Sequence, residues 1–484
     1  MSDPRKAPLA VLLAVAWVSA CTSPVGPQDS GIEAASLWSR LTGADVPTTD
    51  INVPLAAPPA AEVEHAWWRH FDDPVLDALI VEALANNKTL AIAKARVEEA
   101  RASRGIAKAA LLPDIGATGS AQRGNQGFAT NDKVVGIAEI DLRASWELDL
   151  FGRNQARVAE ATALLQSEEA TAQGVRVGLL ADVARSYFDL RNAQRQIKLT
   201  GQNLETQKQT LDLIRAQVQG ALASDFDVQR AGAQVSATAA QIPALQTARD
   251  TALNRLNILL GHPPGARDAL LEPPREFKPL DQRILVAAPA KVMAARPDIR
   301  AAERRFAASI SAKDVATAEL FPDISLTALF GGQTATPFAS NPWSIGLGLV
   351  QPILNFGRIE SRIDAADARQ TQAFLTYQQT VLEGLENMEN ALSSYSHEAS
   401  RNAALTTGVA QNRRAAELAR QQYTNGYTSL LDVLVAERNL LDAESAQATS
   451  DAGLRRDLVN IYTAAGGGWR DDGATRPNVT SATD

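Results

Sequence analysis

Residues 139–153 read EIDLRASWELDLFGR, and this stretch decides the fold. Its first twelve side chains alternate, with Glu139, Asp141, Arg143, Ser145, Glu147 and Asp149 on one side and Ile140, Leu142, Ala144, Trp146, Leu148 and Leu150 on the other. A period of two is that of a β-strand, and a strand charged on one face and apolar on the other suits a barrel wall between water and lipid. Phe151-Gly152-Arg153 then opens a run without proline as far as Gln219, enough for one uninterrupted helix of about 100 Å. Gly152 stands at the corner, where glycine tolerates the backbone angles of a sharp turn.

The same segment occurs twice. Phe151-Gly152-Arg153 recurs as Phe356-Gly357-Arg358, and Leu111-Leu112-Pro113-Asp114-Ile115 as Leu320-Phe321-Pro322-Asp323-Ile324. Asp227-Val228 recurs as Asp432-Val433 and Gly261 as Gly466, so the chain is a tandem duplication whose length change lies between the Pro-Asp-Ile and Phe-Gly-Arg landmarks. The second long proline-free run, Gly357 to Gln422, carries Phe374, Tyr377, Val381, Leu385, Met388, Leu392, Tyr395 and Ala399 in steps of three and four; the first carries Leu190, Ile197, Leu204, Leu211 and Val218 in steps of seven. Both are coiled-coil seams. Pro243 is expected to bend or loosen the helix that follows the first tip.

These patterns set the expected fold class: mainly α with a transmembrane β part. The domains are a lipoprotein signal peptide (1–20), a lipidated linker (21–64), a first repeat (65–261), a connector (262–295), a second repeat (296–469) and a C-terminal tail (470–484). The expected strands are 114–122 and 134–150 in the first repeat and 323–331 and 343–355 in the second, with helical tips near 219–225 and 424–430. Four strands cannot close a barrel, and lipid tolerates no open edge. Several copies must therefore associate.

Composition narrows the function. A net charge of −8 and a pI near 5.3 leave no basic surface for nucleic acid. Arg5 and Lys6 precede an apolar run from Leu9 to Val18 that is too short to span a bilayer. Val18-Ser19-Ala20-Cys21 follows and resembles the bacterial lipobox, which makes Cys21, the one cysteine of the chain, the expected lipid attachment site. Thr22 in place of Asp permits sorting to the outer membrane. The four histidines, His65, His70, His262 and His397, stand in no zinc-ligand spacing. No catalytic constellation, metal site or cofactor is expected, and Trp67 and Trp68 are expected to pack against the helices near the membrane.

In order and spacing, these features resemble the TolC-like outer membrane factors of efflux and secretion systems, and within them the lipoprotein, OprM-like or NodT-type branch. The carriers are the lipobox, Trp67-Trp68 with Phe71-Asp72-Asp73-Pro74, the duplicated landmarks, Arg296-Pro297-Asp298-Ile299, and the closing Gly466-Gly467-Gly468-Trp469. The resemblance implies a homotrimer with a twelve-stranded barrel in the outer membrane and a helical barrel through the periplasm. It also implies docking to a periplasmic adaptor (membrane fusion) protein and an inner-membrane pump of the resistance-nodulation-division type. The expected function is a drug or small-molecule efflux duct; the alternatives are the outer component of type I protein secretion or a non-conducting lipid-anchored coiled-coil scaffold.

The resemblance places adaptor docking at the tips, on Gly220, Ala221, Leu222 and Ser224 and on Gly426, Tyr427 and Ser429. It places a periplasmic gate at Asp227, Tyr423, Thr428 and Asp432, with the Tyr423 hydroxyl near Asp227 and three copies of Asp432 forming a carboxylate ring. Thr428 departs from the arginine of TolC, and Val435 from its second aspartate, which thins the expected ionic lock. The acidic side chains of 139–149 imply a cation-favouring lumen.

Overall fold

The computed structural model describes residues 26, 28–35, 48–52, 66–125, 134–220, 223–278, 280, 289–335 and 338–468. Cys21 and His65 lie outside them, as do Ala221, Leu222 and the tail. Strands β1 (Asp29–Ala35) and β2 (Thr48–Asn52) form a small antiparallel pair. The first repeat then runs α1 (Pro74–Asn86), α2 (Lys88–Ala109), β3 (Asp114–Asn125), β4 (Val134–Glu147), α3 (Arg153–Gln219), α4 (Asp225–Ala239) and α5 (Gln241–Leu259). After α6 (Asp268–Leu271) and α7 (Pro289–Ala295) the second follows as α8 (Pro297–Ala318), β5 (Asp323–Ala335), β6 (Phe338–Ser340), β7 (Trp343–Val350), α9 (Arg358–Thr424) and α10 (Leu430–Ala464).

Helices α3 and α9 have 67 residues each, so each is about 100 Å long. Each begins after a left-handed glycine, Gly152 at φ +76° and Gly357 at φ +81°, which no β-carbon would favour. Pro243 lacks the N–H that would bind the Ala239 carbonyl, and the helix breaks there into α4 and α5. Among the described residues no helix is long and apolar enough to cross a membrane.

The long strands are ordered β3-β4-β5-β7, all antiparallel, with β6 beside the far end of β5. Their limits differ from expectation for local reasons. Strand β4 stops at Glu147 because Asp149 turns to accept the Asn154 and Gln155 amides at 3.0 and 2.8 Å, capping α3. Strand β7 stops at Val350, just before Pro352, which cannot join a ladder. The register puts Ala117, Leu142, Phe330 and Trp343 in one row and Ile115, Ala144, Ala328 and Ile345 in the next. Ile115, Ile140, Leu142, Phe330, Trp343, Ile345, Leu347 and Leu349 are all exposed, so one face of the sheet is an uncovered apolar wall. Glu139, Asp141, Arg143 and Glu147 occupy the other face.

The main core lies midway along the helices. Trp67 is fully buried and stacks on Tyr462 at 5.5 Å, while Leu180, Phe188, Met293, Ile299, Tyr377, Val381 and Met388 fill the space behind it. Each such side chain contributes roughly 1.5–3 kcal/mol by leaving water. Trp67 and Trp68 are thus packing residues. The N-terminal segment is strapped across this core: the Gln28 amide donates to Glu303 at 2.8 Å, Arg304 to the Gly26 carbonyl at 3.1 Å, and Gln378 to the Ser30 carbonyl at 2.9 Å.

The seam of α9 follows the expected positions, with Tyr377, Val381, Met388, Leu392 and Tyr395 buried. That of α3 holds only in part, at Leu190 and Leu211. Below Leu190 the buried side is Gln196, Thr200, Asn203, Gln207, Leu211 and Ile214, with Ile197 and Leu204 at its margin. Of its polar members, Gln196 donates across the interface to the Ser445 carbonyl at 2.8 Å and to Thr449 at 3.0 Å, while Gln207 donates to Asn203 one turn back on the same helix at 2.6 Å.

Candidate functional site

At the first tip α3 ends at Gly220, and Ser224 starts α4. The Asp227 amide donates to the Ser224 hydroxyl oxygen at 3.3 Å, while the Ser224 amide and hydroxyl donate to the Asp227 carboxylate at 3.2 and 2.7 Å. This is a complete capping box. The second tip repeats it with Ser429 and Asp432, after Gly426 at φ +76°. There the Asp432 carboxylate also accepts from Thr428 at 2.7 Å. These donors hold both carboxyls below the usual carboxylate range, the serine side chains being the largest cause. Tyr427 projects into solvent at the very end.

The Tyr423 hydroxyl lies near Asp227, as expected, but makes no hydrogen bond to it. The Tyr423 hydroxyl donates to Gln217 at 2.7 Å instead, because the Asp227 carboxylate is occupied by its own helix start. Burial, and then the nearby Asp227 charge, push the Tyr423 hydroxyl above its ordinary value, so it remains a donor. Asp432 is likewise engaged by three donors of its own tip rather than projecting free.

The joint between the two hairpins is apolar at its centre. Leu211, Ile214, Ala231, Leu430 and Leu434 pack together, with Val228, Val235 and Tyr423 against them. Above this plug sits a polar clasp absent from the expected site. Glu437, with no exposed surface, accepts from Arg420 at 2.8 Å and from Thr210 at 3.4 Å. One carboxylate thereby joins α3, α9 and α10. The signal was present in the sequence: Leu430, Leu434, Glu437 and Leu441 are spaced four, three and four, which puts a charge at a seam position.

On the polar face of the sheet the carboxylates are largely compensated. Arg143 lies 3.1 Å from Asp141, and Arg153 lies 2.6 Å from Glu147 and 2.7 Å from Asp323. Asp149 serves as a cap. The polar face is therefore less acidic than its composition implies. Among the described residues no cluster of His, Cys, Asp and Glu could hold a metal, and His262 pairs with Glu82 at 2.7 Å beside Arg267.

This combination of open sheet, paired long helices and capped tips has close relatives. The chain is 31% identical to the pyoverdine export outer membrane protein OpmQ of Pseudomonas aeruginosa over 478 residues, covering 96% of this chain and 97% of that one. It is 31% identical to nodulation protein T of Rhizobium leguminosarum bv. trifolii over 412 residues, 83% and 88% of the two chains. The solved outer-membrane channel OprN superposes with a TM-score of 0.81 at 34% identity, covering 92% of this chain and 100% of that one. A protein-family model described as "Outer membrane efflux protein" matches residues 79–262 and 288–467, one match for each repeat. The chain belongs to the outer membrane efflux protein family, whose members are channels of the outer membrane extending into the periplasm rather than enzymes.

Proposed function

We propose that three copies of this chain close a twelve-stranded barrel in the outer membrane and a helical barrel below it, the exit duct of a tripartite efflux system. The observation that carries this is the sheet: four long strands, an exposed apolar face, a polar face, and unpaired edges at β3 and β7. In lipid every ladder group must be paired, and three such sheets joined edge to edge satisfy all of them. Cys21 anchors each copy through acyl chains in the inner leaflet. The tips, with Gly220, Ala221, Leu222, Ser224, Gly426, Tyr427 and Ser429, receive the periplasmic adaptor that links the duct to an inner-membrane pump of the resistance-nodulation-division type.

The gate lies just above those tips. Asp227 and Asp432 fix the helix starts, Thr428 supports the second, and the Leu430–Leu434 plug with the Tyr423–Gln217 bond holds the two hairpins together. Planar-bilayer recording tests the reading. Purified protein should give stepwise channels, and a preparation that inserts without conducting would refute it.

A further inference from the structure

The duplication supplies a template for a contact that a single chain cannot make. The two hairpins share one register: Asp114 lies opposite Ser145, and Asp323, 209 residues on, lies opposite Val350, 205 residues beyond Ser145. A contact between landmarks also repeats within each, because Trp146 donates to the Leu111 carbonyl at 3.0 Å and Gln351 to the Leu320 carbonyl at 3.3 Å. The step from first repeat to second is made by three further contacts. Arg153 pairs with Asp323 at 2.7 Å, Phe151 stacks on Phe321 with centroids 4.8 Å apart, and the Leu148 amide donates to the Ile324 carbonyl at 2.8 Å.

The step from second repeat back to first has no counterpart among the described residues. Its members are Arg358, Phe356 and Ile353 on one side and Asp114, Leu112 and Ile115 on the other. Phe356 is 90% and Ile353 94% exposed, and Leu112 and Ile115 are exposed too. Arg358 has lost even the support that Arg153 takes from Glu147, because Pro352 stands at that place. The corners are similar but not identical, since Phe356 takes φ +52°.

We infer that the missing step is made between copies: Arg358 pairs with the partner subunit's Asp114, Phe356 packs on the partner's Leu112, and β7 joins the partner's β3. This rests on the ring proposed above and adds its register. Ala144 opposite Ala328 carries over to Leu349 opposite the partner's Gly119. All eight residues of β7 then fall opposite Thr118–Asn125, within β3. Both members of the pair lie on the apolar face, so the wall continues unbroken across the joint.

The test uses the full chain in mild detergent, with mass read by light scattering. A Leu349→Cys, Gly119→Cys variant has room for the new side chain, the nearest atom to a β-carbon at Gly119 being 3.7 Å away. A short bis-alkylating reagent should link it into trimers on a denaturing gel, whereas Ile345→Cys with Gly119→Cys should stay monomeric there. In a second arm, Asp114→Arg or Arg358→Asp should each lower the temperature at which trimers dissociate, and the double exchange should restore it. Trimers that link only through the Ile345 pair, or a double exchange no better than either single variant, would overturn this register and leave the ring intact. A monomer by light scattering would overturn both.

Discussion

Arg420→Ala is the most direct challenge to the clasp. Glu437 has no exposed surface and one of its oxygens has no partner, while the other accepts from Arg420 at 2.8 Å and from Thr210 at 3.4 Å. Removing one partner of a buried pair costs about 3–5 kcal/mol because the remaining charge is stranded. Arg420 is 39% exposed, so water reaches its side of the pair and the expected loss falls to about 1–3 kcal/mol. That loss concentrates where α3, α9 and α10 meet. Hydrogen exchange of amides around 420–437 should therefore quicken by roughly ten- to a hundredfold, with resting conductance raised. Arg420→Met combined with Glu437→Leu should regain most of the protection, since an apolar pair of similar volume replaces a costly ionic one. Unchanged exchange in the single variant, or no recovery in the double, would show that the clasp does not hold the hairpins.

Three other outcomes are expected. Gly331→Ala should lower trimer melting at a cost of about 1–3 kcal/mol, because a β-carbon there would lie 2.0 Å from the Asp141 carboxylate and 2.9 Å from the Ile140 carbonyl; Gly332→Ala, with 3.9 Å of clearance, should match wild type in the same thermal scan. The Asp227 and Asp432 carboxyls are lowered by their serine partners, so their support of the tips is full above the unfolded carboxylate pKa and is lost only as pH falls through the lowered values. Exchange protection at the tips should stay flat down to about pH 4, and a loss near pH 6 would contradict this. Cys21→Ser should leave a foldable channel without lipid, and palmitate label retained by that variant would refute the anchor.

The duplicated landmarks, strand alternation and proline-free runs were legible because each depends on short-range periodicity. The capping boxes were less so: Ser224 with Asp227 and Ser429 with Asp432 are local motifs, yet both aspartates were expected in the gate. The partners of Tyr423 and Asp227 were not legible. A capping serine three residues away outcompetes a tyrosine on another helix for the same carboxylate, and sequence gives no measure of that competition. The polar seam of α3 was hidden for a similar reason: Gln196 looks solvated until Ser445 and Thr449 are known to face it. The reduced acidity of the polar face follows from Arg153, whose place in the next helix puts it outside the alternating stretch.

The strap across the core would turn the proposed anchor into a short leash. Arg304 holds the Gly26 carbonyl, and from Arg304 helix α8 continues fourteen residues to Ala318 beside the sheet, a climb of about 21 Å. Gly26 is five residue steps from Cys21, and fully extended these reach about 17 Å. Acyl chains on Cys21 would thus be drawn taut against the bilayer rather than left to wander. Each copy would then be hung at a fixed depth before its strands are paired, which favours lateral encounter in one plane. Lengthening that leash with a few glycines should slow assembly while leaving the finished channel unaltered.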